Sequence, residues 1–191
     1  MGKDLASQRR EEILAAATRC FVRNGIHASG MSAIAKEFGM SAAHIYNYFP
    51  SKASIIEEIV SRGLGLFYDF VEDLLAASGD YEAILARLRK LFSEERGRHY
   101  FLLSLDVLLE ARREPTLEAI LTRMDGDTRD YLRKMASAIG QKDTPEAPID
   151  ARIEIMLATL EGLGLRYMRH PEMDVEAVCR MLARMIVEKR L

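Results

Sequence analysis

Tryptophan is absent from the 191 residues, and cysteine appears only twice. Cys20 and Cys179 lie far apart and share no metal-ligand spacing, so nothing asks for an oxidising compartment or a metal centre. His27, His44, His99 and His170 are not at metal-binding spacing either. HExxH, a phosphate-cradling glycine loop and a nucleophile elbow are all missing. No catalytic residue, metal or cofactor is therefore expected, and the chain does not read as an enzyme. No apolar run approaches the roughly 18–20 residues of a membrane span. The opening MGKDLASQRREEIL has no continuous apolar stretch of the kind that directs secretion. A cytoplasmic protein without a membrane partner is the expectation. Strand-like alternation is nowhere sustained, and the five prolines stand at segment borders.

What is present is helical periodicity. With 49% of residues apolar, a substantial core can be buried. The pattern predicts an all-α protein of about nine helices. The first spans Ser7 to Asn24 and stops at Gly25, where glycine accepts the left-handed conformation. Short helices follow over Met31–Phe38, ended by Gly39, and over Ala42 to Tyr48, capped by Ser41 and closed by Pro50. A long fourth helix runs from Lys52 to Ala76. Others are expected over Tyr81–Phe92, Arg98–Arg112 and Pro115–Ile139, the last stopped by Gly140 and bent at Gly126. The final two begin after Asp150 and Asp174, each acting as a cap, and end near Arg169 and Lys189.

The formal net charge of −2 says little by itself, but charge is unevenly placed. Residues 1–52 carry seven Lys and Arg against four acids, whereas the remainder carries 20 against 25. Such asymmetry fits an N-terminal segment that meets phosphates. The same segment holds two short helices joined by Gly39-Met40-Ser41. A short glycine-bearing turn lets such helices cross steeply, so that the second can project into a major groove. Ala17, Phe21, Ile34, Ala35, Phe38, Met40, Ile45 and Phe49 are spaced to hold the unit together. A helix-turn-helix domain over residues 1–52 and a helical domain over 53–191 are the expected division.

The longer pattern is more specific. Arg10, Ile13, Ala16-Ala17, Phe21, Gly25, Ile34-Ala35, Gly39-Met40-Ser41, Ile45-Tyr46, the run Tyr48-Phe49-Pro50-Ser51-Lys52 and Ile55-Ile56 resemble the N-terminal signature of TetR-type regulators. The resemblance covers about residues 9–60, with IYNYFPSK its most specific part. It implies a homodimer that binds double-stranded operator DNA and responds to a small-molecule effector, with repression as the usual outcome. The third helix then enters the major groove and exposes Ala42, Ala43, His44, Tyr46, Asn47 and Tyr48. Ala42 can meet a thymine methyl and Asn47 can read adenine. Tyr46, Tyr48 and Lys52 match backbone-contacting positions, and Ser29, Gly30 and Ser32 lie where the second helix also grips phosphate. The sequence departs from the pattern at His44, where a small hydroxyl residue is common, and at Met31-Ser32. No arginine in the third helix can make the common bidentate guanine contact, which shifts weight toward DNA shape.

For the C-terminal part the resemblance implies an effector cavity that accepts a partly apolar small molecule. Phe67, Phe70, Phe101, Leu105, Met124 and Tyr131 are candidate lining residues, with Asp106 and Glu161 as polar anchors. It also implies a dimer interface on the last two helices, through Met156, Thr159, Leu163, Arg166, Tyr167, Val178, Leu182, Met185 and Ile186. Gly162 and Gly164 cost helix propensity, for which close helix approach compensates. Two other classes compete: a helical ligand-binding or adaptor protein without DNA binding, and a helical enzyme with dispersed carboxylates. A salt-dependent DNA shift separates the first, and turnover of a ligand the second.

Overall fold

The computed structural model describes residues 2–77, 79–93, 95–138, 144 and 148–188, with side chains from Leu5 onward except those of residues 93–102. Among the described residues there are nine helices and no strand. They are α1 (Gly2–Asn24), α2 (Met31–Phe38), α3 (Ala42–Tyr46), α4 (Lys52–Ala76), α5 (Tyr81–Ser93), α6 (Glu95–Ala111), α7 (Pro115–Ala138), α8 (Ile149–Arg169) and α9 (Val175–Val187).

Helix ends follow local chemistry. Gly25 has φ 78° and donates its N–H to Phe21 at 2.8 Å, which closes α1. Gly39 has φ 81°, and its N–H and that of Met40 turn back to the last carbonyls of α2. Ser41 caps α3 by accepting from the His44 N–H at 3.3 Å. At the start of α4, Ser51 and Ser54 bond reciprocally, each hydroxyl accepting the other's backbone N–H. Asp174 caps α9 through the Ala177 N–H at 2.9 Å.

Several boundaries differ from expectation. α1 begins at Gly2 rather than Ser7, since no breaker intervenes and Gln8 and Arg9 both pair with Glu12 along the helix. α3 stops at Tyr46, and Asn47 and Tyr48 form the turn that leads to Pro50. α6 starts at Glu95 rather than Arg98. Asp150 does not cap α8; Pro148 holds that position, and Asp150 pairs with Arg133 at 2.6 Å instead. α7 continues as one helix through Gly126. Gly140 and Lys189 lie outside the described residues.

The chain divides into two compact units, Met1–Gly63 with Leu102–Thr122, and Leu64–Phe101 with Arg123–Leu191. Packing thus does not part at residue 52. In the first unit Ile13, Ala17, Phe21, Ile34, Ile45, Phe49, Ile55 and Ile56 share one core with Leu103, Val107 and Ala111 of α6 and Leu117 of α7. Each large side chain fully buried there stabilises the fold by roughly 1.5–3 kcal/mol relative to exposure. The second unit has two clusters. One packs α5 on α9 through Ile84, Leu85, Leu88, Phe92, Cys179, Leu182 and Ala183. The other gathers Phe67, Phe70, Val71, Tyr131, Leu132, Ile153, Met156 and Leu157 from α4, α7 and α8. No described helix is long and apolar enough to cross a membrane.

Candidate nucleic-acid interface

Ile45 and Phe49 anchor α3: both are buried, at 0% and 1% exposure, in the first unit's core. That anchoring fixes what faces outward. Ala43, Tyr46 and Asn47 are exposed, Tyr46 at 51%. Ala42, His44 and Tyr48 are half-buried, and the His44 and Tyr48 rings meet at 5.5 Å between centroids. The outer side of the helix therefore offers two small residues, an amide, an imidazole and two phenols, which can donate to bases or phosphates. On α2, Ser32 is exposed, and Gly30 stands as an exposed N-cap with no side chain to fill the space before the helix N-terminus.

Ser29 is corrected. Its side chain is wholly buried, and its hydroxyl donates to the Gly25 carbonyl at 2.8 Å. The Cys20 thiol in turn lies 3.4 Å from that hydroxyl. Ser29 pins the turn between α1 and α2 and cannot reach a phosphate.

Arg10 holds the corner between α3 and α4. Its Nη1 donates to the Tyr48 carbonyl at 2.5 Å, its Nη2 to Glu58 at 2.6 Å, and its guanidinium lies 4.2 Å from the Phe49 ring centre. Arg62 joins the network by pairing with Glu11 and with Glu58. Hydrogen bonds from Arg62 hold the Glu11 carboxyl below its ordinary range. Burial pushes the Glu58 carboxyl up, but Arg10 and Arg62 outweigh it and bring it down.

Lys52 is not free on the surface. Its ammonium donates to the Glu110 carboxylate at 2.6 Å and to the Ile26 carbonyl at 3.1 Å. The other Glu110 oxygen meets His27 Nδ1 at 3.1 Å. Burial alone pushes the Glu110 carboxyl up; the Lys52 ammonium and the His27 ring overcome that and hold it low. Arg9 pairs with Glu12, while Arg19 and Arg23 pair with Glu37. Lys36 is exposed with no ion pair among the described residues. The charge excess of residues 1–52 is thus compensated locally. Counted over the first compact unit, ten Lys and Arg face ten acids.

The candidate effector residues are split between units. Leu105 and Asp106 belong to the first; Leu105 is exposed, and Asp106 Oδ2 would lie 3.6 Å from a Cβ placed on Gly25. Phe67, Phe70 and Tyr131 converge in the second, and Met124 there is buried. The Tyr131 hydroxyl donates to Glu72 at 2.8 Å, and its ring stacks 4.3 Å from that of Tyr68. Burial and the Glu72 carboxylate push the Tyr131 phenol up to about 12. Glu161 is exposed on α8, and partial desolvation with repulsion from Asp125 and Glu154 pushes its carboxyl up. The Phe101 side chain lies outside the described residues. Among the described residues no group of three His, Cys, Asp or Glu could hold a metal ion.

On α8 and α9, Leu182 is buried within its own chain against α5, which leaves little of it for a partner. Leu163, Tyr167 and Ile186 also pack on that cluster. Met156, Thr159, Val178 and Met185 are half-buried, and Arg166 is exposed. Ile155 and Met181 are exposed apolar residues on the same two helices, at 54% and 60%. Apart from its chain neighbours and the backbone of its own helix, nothing among the described residues lies within 4 Å of a Cβ placed on Gly162.

Comparison with known proteins gives a consistent assignment. Residues 13–59 match the bacterial regulatory proteins of the tetR family, and residues 79–188 match the tetracyclin repressor-like C-terminal domain. The nucleoid occlusion factor SlmA of Vibrio cholerae is 32% identical over 117 residues, 60% of this chain and 51% of that protein. The fatty acid metabolism regulator protein of Bacillus subtilis is 32% identical over 89 residues, 46% of each chain. The matched segments span about half the length of these curated relatives. Among solved structures, the regulator FadR of Bacillus subtilis in complex with stearoyl-CoA superposes with a TM-score of 0.64 at 19% identity, covering 93% of this chain and 97% of that one.

Proposed function

The chain belongs to the TetR family of bacterial regulatory proteins, and from that premise we propose that it is a dimeric transcriptional regulator that releases operator DNA when a small molecule binds. The observation that carries this reading is α3. It is capped by Ser41, anchored by Ile45 and Phe49, and leaves Ala43, Tyr46 and Asn47 facing outward. Ala42, Ala43, His44 and Asn47 meet base edges in the major groove, while Tyr46, Tyr48, Gly30 and Ser32 grip the backbone. Lys52 joins this set only when its ammonium leaves Glu110.

The effector is a partly apolar small molecule held in the second unit by Phe67, Phe70, Met124 and Tyr131, with Glu161 as a polar anchor. Packing of three of these side chains in one cluster supports the choice. Two copies pair through α8 and α9, where Ile155 and Met181 stand exposed, with Met156, Thr159, Val178, Met185 and Arg166 around them. Two recognition helices then reach successive major grooves roughly 34–36 Å apart. α4 runs unbroken from Lys52 to Ala76, so a ligand that favours one of its positions changes the spacing of the two readers. The response can be no larger than the ligand's differential affinity for the two arrangements.

The test is selection of genomic fragments by the purified protein, followed by footprinting and addition of candidate ligands suggested by the genes beside the recovered site. The reading expects a protected site with two related halves and its loss when ligand is added. Failure to enrich any fragment supports the adaptor reading instead, and enrichment without a ligand effect removes the effector half of the proposal.

A further inference from the structure

Glu110 is the least exposed charged side chain described in the first unit, at 8%, and it lies far in sequence from the helices that read DNA. Its two oxygens engage the first residue of α4 and the turn before α2: Lys52 Nζ at 2.6 Å and His27 Nδ1 at 3.1 Å. Lys52 is itself only 22% exposed, and a second of its three N–H donors is taken by the Ile26 carbonyl at 3.1 Å. An ammonium held this way has its charge answered by a carboxylate from inside the protein. A phosphate approaching it meets a neutral pair rather than a cation. The backbone around Glu110 is firmly placed, because Leu103, Val107 and Ala111 on the same helix are buried in the core shared with α1 to α4.

We propose that Glu110 is a positioning residue for DNA binding, one that holds Lys52 against α6 and keeps its ammonium off the DNA phosphates. Lys52 therefore contributes to the DNA contact only when its ammonium leaves Glu110. This inference rests on the regulator reading above and deepens it, by naming a residue that sets the strength of the DNA grip.

The experiment uses the full chain and fluorescently labelled double-stranded DNA of random sequence, whose binding is almost wholly a phosphate effect. Anisotropy titrations over a range of salt compare wild type, Glu110→Gln, Lys52→Gln and the double variant, with melting temperatures recorded for each. Glu110→Gln is expected to bind more tightly at low salt and to steepen the salt slope by about 0.9, the value of one added phosphate contact. That amounts to roughly 3.5-fold more affinity lost between 50 and 200 mM salt. Lys52→Gln alone is expected to keep the wild-type slope, and Glu110→Gln is expected to gain nothing when Lys52 is already glutamine. A gain of equal size in both backgrounds reflects net charge alone and overturns the proposal. So does Lys52→Gln lowering the slope by about one, a result that stands even if Glu110→Gln does not fold. If wild type binds no duplex at all, the regulator reading fails and takes this inference with it; if wild type binds and Glu110→Gln does not steepen the slope, only this inference fails.

Discussion

Replacing Arg10 with methionine should lower both stability and DNA affinity without changing the salt slope. The side chain makes three interactions: the Tyr48 carbonyl, the Glu58 carboxylate and the face of Phe49. Arg10 and Glu58 are 37% and 31% exposed, so their ion pair is discounted to about 0–1 kcal/mol. The carbonyl bond contributes about 0.5–1.5 kcal/mol. Contact with Phe49 contributes about 0.5–1 kcal/mol, part of which methionine retains through its own contact with the ring. The loss should be about 1–3 kcal/mol. For a chain of this size each kcal/mol shifts Tm by roughly 2–4 °C, so Tm should fall by roughly 2–12 °C in a far-UV circular dichroism melt. Because Tyr48 ends the turn that follows α3, the loosened corner should weaken binding to every duplex. The Arg10 charge is already engaged by Glu58, so the slope of affinity against salt should stay put. Arg10→Lys should fall between wild type and methionine, since one ammonium cannot span both acceptors along the same directions. An unchanged Tm, or a slope reduced by about one, refutes the corner-clamp reasoning and makes Arg10 a phosphate contact instead.

Gly39→Ala should cost about 1–2 kcal/mol, read as a lower Tm, because a Cβ there has open space and only the left-handed backbone is penalised. Ser29→Ala should cost about 1–3 kcal/mol through the stranded Gly25 carbonyl, yet leave the salt slope of DNA binding unchanged; a shallower slope restores Ser29 to the interface. Glu11, Glu58 and Glu110 all have carboxyls held below their ordinary value of 4.5. As pH falls, the unfolded chain takes up protons on these groups before the folded chain does. Their contribution is therefore complete above pH 4.5 and lost below it, as pH passes through the folded values. Melting temperatures across that range should drop on the acid side, and less steeply in Glu58→Gln.

The helices were legible because their ends are written in residues with specific backbone needs. Gly25, Gly39, Ser41 and Asp174 each do in the structure what their type dictates. Where a boundary shifted, the reason was competition: Asp150 could cap α8, but Arg133 is close enough in space to claim its carboxylate. Only part of the outward set was legible: burying Ile45 and Phe49 leaves Ala43, Tyr46 and Asn47 exposed, whereas Ala42 and Tyr48 pack partly against the core. Long-range pairing was not. Nothing local to LLEARRE announces that Glu110 meets Lys52 and His27, residues from the other side of 50 positions of chain. Ser29 misled for the same reason, because its partners, Gly25 and Cys20, appear only when α1 and the following turn close on one another. Charge counting misled too, because half the acids that answer the N-terminal cations come from α4, α6 and α7.

The central claim is that α3 lies in the major groove, and Asn47 gives the most direct way to see it. Both native cysteines are buried, so Asn47→Cys can be labelled selectively with an iron–EDTA cleaving reagent and bound to a selected genomic fragment. The account predicts cleavage in two major-groove tracts on one face of the duplex, roughly 34–36 Å apart. Cleavage spread evenly along the fragment, or confined to a single tract, would contradict it.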